Sequence, residues 1–444
     1  MDALKSFLHG FRRAQDGAIT ALNLFFIMVV AIFAGIAIDM ASAISARTQL
    51  QATADAAAHA ALVHREWHEP EEAKALAIAI SMGNMPTEAF GNVLTPEDIV
   101  FGDFDRANKS FTPDNTSRNA VLVRTERALD KENPVGTFLL QFIGLWNWDV
   151  QTVAMFETYY PTCLVEGFVA EDVVDIQSNN SYFNGFCIHS NNYVTINNNN
   201  YFEPGTIVSM PDSDDLEVQI TGNGEDKNEG LQEALREGRW FIKILNRVNR
   251  IEEGLQTEGH RYAQEFTTNF DVIDIDQDMK HLRQGNKYVI EPADLSAGRV
   301  YSVNCNKVDF KSGTYTGIVL IADCPVELSN GVTLIDTVLL TTYAGAKAFY
   351  APAQITLGQQ DSCASGGGAK LVTNGSVDLS AGVLMYGSQI VAGGNVEFSS
   401  NADGMEGASI VAGGRIDSTS NMNFAFCGSG VEHFFAADYF RLAG

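Results

Sequence analysis

Six cysteines offer the plainest chemistry in this 444-residue chain: Cys163, Cys187, Cys305, Cys324, Cys363 and Cys427. No two of them form a CxxC pair, so neither a zinc ribbon nor a thioredoxin-like redox couple is expected, and no metal or other cofactor is assigned. Cys305 and Cys324 are 19 residues apart. If one turn of a stacked coil takes that much chain, the two fall on neighbouring strands roughly 4.8 Å apart, a spacing that a disulfide tolerates. Among the ways of joining the other four, Cys163 with Cys187 and Cys363 with Cys427 is the pairing expected.

His64 and His68, with Glu66 between them and His59 nearby, are two imidazoles one helical turn apart. Such a pair can hold zinc, but HREWH lacks the second-position glutamate of a HExxH helix, and exposed histidines at a helix end are the expectation. Asp274, Asp276 and Asp278, like Asp212, Asp214 and Asp215, supply hard oxygen ligands without the DxDxDG loop and distal glutamate of a calcium site. Both are read as solvated turns. Asp378, Glu397 and Asp417 recur at a near-constant interval that would align them on one face. Aligned carboxylates suit a polysaccharide-cleaving or glycan-binding groove, yet acidic residues alternating with apolar ones are also the ordinary outer face of strands. The second reading is preferred, and no catalytic residue is assigned.

That shared face exists only if the chain repeats, and it does. VDIQSNN at Val174–Asn180 overlays VTINNNN at Val194–Asn200, and the same shift of 20 carries Cys187-Ile188 onto Ile207-Val208. Near the C-terminus GSQIVAGGNVEFSSN from Gly387 overlays GASIVAGGRIDSTSN from Gly407, with an earlier copy, LVTNGSVDLSAG, from Leu371. Short β-prone runs at this period, broken by Gly and Asn, predict a right-handed parallel β-helix, a solenoid of about 20 residues per coil, over residues 162–444. Val174 would lie beside Val194, Ile390 beside Ile410 and Val396 beside Ile416. Val326–Leu340 and Ala353–Leu357 supply further strands. Asn197–Asn200, Gly393-Gly394 and Gly413-Gly414 would turn the corners in left-handed backbone. Glu229–Leu255 has one apolar stripe and is read as a helical insertion (residues 229–255) that caps an open end of the solenoid or docks a partner.

Residues 67–161 read as a small α/β domain, with a helix from Pro70 to Gly83, strands at Ile99–Phe104, Ala120–Thr125 and Val150–Phe156, and a second helix from Pro134 through Phe142. Ahead of it, residues 1–17 are a cytoplasmic N-terminus and Ala18–Ile38 is an uncharged stretch of 21 residues, which as a helix spans ~31 Å, one hydrocarbon core. Lys5, Arg12 and Arg13 precede it and Asp39 follows, so the remainder is expected outside the cytoplasm. The run is longer than a cleaved signal needs and is expected to be retained. Residues 39–66 continue the helix, rich in alanine and free of Gly and Pro from Met40 to Val63. Their small-residue stripe suits another helix or the next domain of the same chain equally well. A hydrophobic share of 45% excludes wholesale disorder, and a net charge of -26 argues against a nucleic-acid partner.

The run RRAQDGAITALNLFFIMVVAIFAGIAIDMASAISARTQLQATADAAAHAA, from Arg12 to Ala61, resembles the N-terminal region of TadG-like proteins of the Tad (Flp) pilus-assembly system. Gly17, the Gly35-to-Asp39 stretch GIAID and the series Arg47, Leu50, Gln51, Ala52, Ala54, Asp55, Ala56 carry the likeness. DIVFGDFD, RNAVLVRTER and VGTFLLQFIG are similar to the region next after the membrane helix in such chains. The resemblance implies a single-pass bacterial inner-membrane protein whose N-terminal helix, with Gly35 and Asp39, meets pilin-like or pilus-assembly proteins. Gly17 stands where pilin-like chains are cut, although the fifth residue beyond it is Leu22 rather than glutamate. The expected function is a non-enzymatic, membrane-anchored component of adhesive pilus assembly, its bulk periplasmic and facing pilus subunits, the envelope or a glycan surface. The alternative is a tethered carbohydrate-binding or polysaccharide-cleaving protein.

Overall fold

Helix α1, Asp16–Arg65, is a single rod of 50 residues, about 75 Å long at the α-helical rise. The computed structural model describes residues 16–159, 162–177, 179–219, 227–238, 241–243, 247–268, 270–428, 435 and 439–443. These fall into two units: residues 1–159 with 438–444, and residues 160–437.

In the first unit α1 changes character along its length. Ile19, Phe25, Phe33 and Ile38 are exposed, whereas Leu50, Ala54, Ala57, Ala58 and Ala61 are wholly buried. The alanine stripe therefore serves the chain's own domain. It lets helix α2, Pro70–Asn84, approach closely through Ala73 and Ala77, and it seats the sheet through Val121, Val123 and Ala154. Arg65 closes α1 by donating to the carbonyls of His68, Asn115 and Thr116.

The sheet is antiparallel, in the order β2 (Ser110–Pro113), β1 (Ile99–Asp105), β3 (Ala120–Arg127), β6 (Val150–Tyr159) and finally Tyr439–Leu442. That last strand pairs Phe156 with Leu442, so the C-terminus belongs here and not to the repeat region as expected. The second unit is thus an insertion between two paired strands. The helix expected from Pro134 through Phe142 is also absent. In its place β4 (Val135–Gly136) pairs with β5 (Asn147–Trp148), and a single 3-10 turn occupies Leu140–Ile143. Gly136 and Thr137 break the helical run, and Asp39 takes the amides of Phe138, Leu139 and Leu140 that a helix from Pro134 would have bonded to its own carbonyls.

The second unit is a large domain of parallel strands. Its eleven-stranded sheet runs, neighbour to neighbour, from Leu235–Glu237 through Ile207–Met210, Cys187–Ser190, Gly167–Ala170, Ser409–Ala412, Gln389–Ala392, Ala369–Thr373, Thr337–Thr341, Ile318–Ala322 and Arg299–Val303 to Val272–Asp274. A second sheet, of seventeen strands among the described residues, holds the other strands of this unit. Val174 stands opposite Val194, Ile390 opposite Ile410, and Val396 opposite Ile416, the registers read from the repeat. Stacked side chains build one apolar core, in which Leu320, Leu339, Leu371, Ile390 and Ile410 succeed one another.

The order of rungs is not the order of the chain. Ile410, near the end, pairs with Phe168, near the beginning. The chain leaves one end of the stack after Leu235–Glu237 and resumes at the other with Val272–Asp274. The segment between overlaps the helical insertion expected over residues 229–255, and it is not one helix. Leu231–Ala234 and the strand Leu235–Glu237 belong to the stack before it, and the connection itself holds the helices Arg247–Gln256 and Arg261–Phe266. It travels alongside the rungs: Ile242 exchanges hydrogen bonds with Asn191, Asn249 accepts from Asn374 at 3.0 Å, Glu265 pairs with Lys370 at 3.6 Å, and Thr268 donates to Gly298. Strands at its two ends demand a connection as long as the stack, and the amphipathic helices cover rungs on the way.

The corner residues divide. Asn199 is left-handed, with φ 66°, as its type suggests. Gly393, Gly394, Gly413 and Gly414 are not left-handed. Their missing side chains serve close approach, since a Cβ on Gly413 would sit 2.5 Å from the Gly393 carbonyl oxygen.

Candidate functional site

The residues of the GIAID stretch meet a distant loop. The Asp39 carboxylate, with no solvent exposure, accepts hydrogen bonds from the backbone N–H groups of Phe138 at 2.6 Å, Leu139 at 3.0 Å and Leu140 at 2.7 Å. Burial pushes its pKa up, but the three donors outweigh this and hold it below the usual carboxylate range. One turn earlier, Gly35 leaves room for Leu139, whose Cβ lies only 2.9 Å from where a Gly35 side chain would begin. Gly35 and Asp39 thus form a seat, one steric and one polar, for the turn Leu140–Ile143. The loop's backbone is closed internally: Thr137 N–H donates to Trp146, Leu145 N–H to Leu140 and Gly144 N–H to Gln141. Its apolar side chains are not enclosed, with Phe138, Phe142, Ile143, Leu145 and Trp146 all more than half exposed. The resemblance singles out Gly35, Asp39 and, within this segment, VGTFLLQFIG, but the segment reads as a helix and its contact with α1 is not expected. The available signal was its uncharged run, Asn133 to Trp148, holding two tryptophans.

Gly17 lies in the first turn of α1. All six cysteines are brought together in pairs: Cys305 with Cys324 at a Cα separation of 5.6 Å, Cys163 with Cys187 at 4.7 Å and Cys363 with Cys427 at 5.5 Å. Beside the last of these, the buried Glu166 accepts from the N–H groups of Cys427 at 2.7 Å and Gly428 at 2.6 Å, and burial raises its pKa against those two donors.

At the end of α1 the His64 and His68 rings stack 3.8 Å apart, and Glu72 lies 3.0 Å from His68 Nδ1. The three donor atoms come within 4.8 Å of one another, a set chemically able to hold a metal. Burial, then the neighbouring His68, lowers the His64 pKa. The acidic triplets are turn formers: Asp274 Oδ1 accepts from Asp276 and Gln277, and Asp212 Oδ1 from Asp214.

Asp378, Glu397 and Asp417 do stand in register, and Asp175 follows Asp417 across the rung junction. Cations occupy this ladder. Lys347 pairs with Asp378 at 2.7 Å, and Arg415 spans Asp417 and Asp175. Asp378 titrates low because Lys347 and Ser380 outweigh its burial, while burial raises Asp175. One feature the sequence did not disclose is Lys370, 3% exposed, held by Glu265 and lying 4.5 Å from the Phe266 ring centroid, its pKa lowered by burial.

Residues 17–64 match the family described as putative Flp pilus-assembly TadE/G-like, and residues 167–428 match a domain of unknown function (DUF7867). No curated protein and no solved structure matches the chain. The first match takes in the seat on α1 and supports a TadG-like protein, while the second spans nearly the whole parallel-strand unit and well over half of all residues. The chain therefore belongs to the family defined by that domain of unknown function, joined here to a TadG-like N-terminal helix.

Proposed function

We propose that the protein is a non-enzymatic, membrane-anchored component of Tad/Flp pilus assembly. The observation that carries this reading is α1 itself, whose TadE/G-like segment is exposed and apolar in its first half and locked into a folded domain in its second. Such a helix transmits position from a bilayer to the domain beyond it. Lys5, Arg12 and Arg13 before the apolar run, against Asp39 after it, favour a cytoplasmic N-terminus and a periplasmic bulk at the bacterial inner membrane. Because the alanine face is consumed inside the first unit, contact with pilin-like helices falls to the segment Ile19–Ile44.

We read the second unit as a parallel β-helix. Support comes from the single ladder that runs from Ile273 through Ile410 and Phe168 to Leu235, with most rungs 19 or 20 residues apart. Such a stack is rigid and presents an acidic, ion-paired wall to pilus subunits or the envelope.

Deletion of the gene should abolish piliation. The full-length chain should restore it, and a chain whose residues 18–38 are replaced by an unrelated Leu-Ala span should not. Equal rescue by the swapped chain would overturn a role for this helix in assembly. Fractionation with intact-mass measurement checks anchoring and any cut after Gly17 together.

A further inference from the structure

We propose that the loop Phe138–Trp148 is a second membrane contact, embedded in the lipid leaflet beside α1, with acyl chains as its occupant. The proposal rests on α1 spanning the bilayer.

The first observation is composition and exposure. No charged residue occurs from Asn133 to Trp148, and Phe142 is 82% exposed, the apex of a cluster with Phe138, Ile143, Leu145 and Trp146. A soluble domain rarely leaves such a contiguous apolar group facing water. The second is continuity with the membrane helix. Leu139, Phe142 and Ile143 share an apolar cleft with Met28, Ala31 and Ile32 of α1. Met28 precedes Asp39 by 11 residues, about 16 Å along the helix axis and so half of a ~30 Å hydrocarbon core. If Ala18–Ile38 crosses the bilayer, a loop that lies against Met28 and Ile32 cannot be in water.

The third observation is that the backbone is prepared for lipid. Non-helical chain in hydrocarbon is tolerated only when its polar groups are satisfied. Here Asp39 takes the amides of Phe138, Leu139 and Leu140, and the Thr137 hydroxyl donates to the Leu145 carbonyl at 2.6 Å. The strands Val135–Gly136 and Asn147–Trp148 pair at the base. Trp146 and Trp148 stand near that base, where the amphipathic indole ring favours the headgroup level. The Asp39 charge is enclosed and never meets lipid.

The test uses the full chain in vesicles of phosphatidylethanolamine and phosphatidylglycerol, with one environment-sensitive fluorophore on an added cysteine. The sites are Ile27→Cys in α1, Phe142→Cys in the loop and Glu88→Cys on the exposed surface of the first unit; no native cysteine is free to react. Nitroxide-labelled lipid should quench the first two, and iodide should quench them about ten-fold less than the third, since hydrocarbon excludes the ion. Gly35→Ile, which displaces Leu139, should return position 142 to iodide while leaving position 27 in lipid. If position 27 is lipid-quenched and position 142 answers to iodide, the loop proposal fails and the anchor stands. Shielding of position 142 from both quenchers means that protein, a second copy or another helix, covers the loop, and this too overturns it. Loss of lipid quenching at position 27 overturns the anchor, and the loop proposal with it.

Discussion

The carboxylate of Asp39 accepts the backbone N–H of Leu140 at 2.7 Å, across 101 positions of sequence. A carboxylate at the end of the apolar stretch thus serves as the cap of a remote turn. Asp39→Ala should leave the three amides without an acceptor and open the loop, with exchange of the 138–140 amides at least about ten-fold faster. The rest of the first unit should keep its protection, because Leu50, Ala54 and Ala58 pack independently of the turn. Hydrogen exchange resolved to these peptides checks both.

Glycines in either unit should answer by what surrounds them, Gly413 in the second and Gly83 in the first. Gly413→Ala forces a Cβ to 2.5 Å from a backbone oxygen on the next rung and should destabilise the unit by about 1–3 kcal/mol. Gly83→Ala, in α2 with nothing within 4 Å, should be neutral or stabilising by up to about 1 kcal/mol. Urea midpoints of the two variants make the comparison.

His189 ties stability to pH. It is fully buried between Ser209, at 2.7 Å, and Asn191, and burial lowers its pKa from 6.5 to about 4. An imidazole with a lower pKa in the fold binds fewer protons there than in the unfolded chain. Its contribution is therefore whole above about pH 6.5 and shrinks as the pH falls toward 4, by at most about 3 kcal/mol. His189→Gln should flatten that slope. Glu166 and Asp175, whose pKa values are raised, act in the opposite sense in both proteins and cancel in the difference between variant and parent.

The disulfides should differ in worth. Cys305–Cys324 closes 19 residues and Cys363–Cys427 closes 64, which on chain entropy gives about 3 and about 4 kcal/mol respectively. Paired Cys→Ser variants compared by thermal unfolding should show the larger loss for the longer loop.

How far the sequence could be read depends on how local each signal is. The apolar rod and the registers of Val174 with Val194 and of Ile390 with Ile410 were legible, because a period or an uninterrupted apolar run is printed in consecutive residues. The junction of Ile410 with Phe168 was not, since two blocks of equal period carry nothing that says which end of one meets the other. Gly413 looked like a corner because composition cannot distinguish a residue chosen for its dihedral from one chosen for its lack of volume. The turn at Leu140 looked helical because its true partner, Asp39, stands far away in the sequence. Gly35 and Asp39 were marked by likeness alone, and their tasks emerged only when the loop lay against them.

The Phe168–Ile410 junction also sets an order of events. A ribosome completes Phe168 long before Ile410 exists, so the early rungs, Gly167–Ala170 to Leu235–Glu237, must wait with one raw edge until the last are made. Any chain halted before Ser409 would hold two half-assembled blocks, each exposing a templating strand of the kind that seeds aggregation. Maturation of this unit is consequently a race between finishing synthesis and the stickiness of its own opening segment.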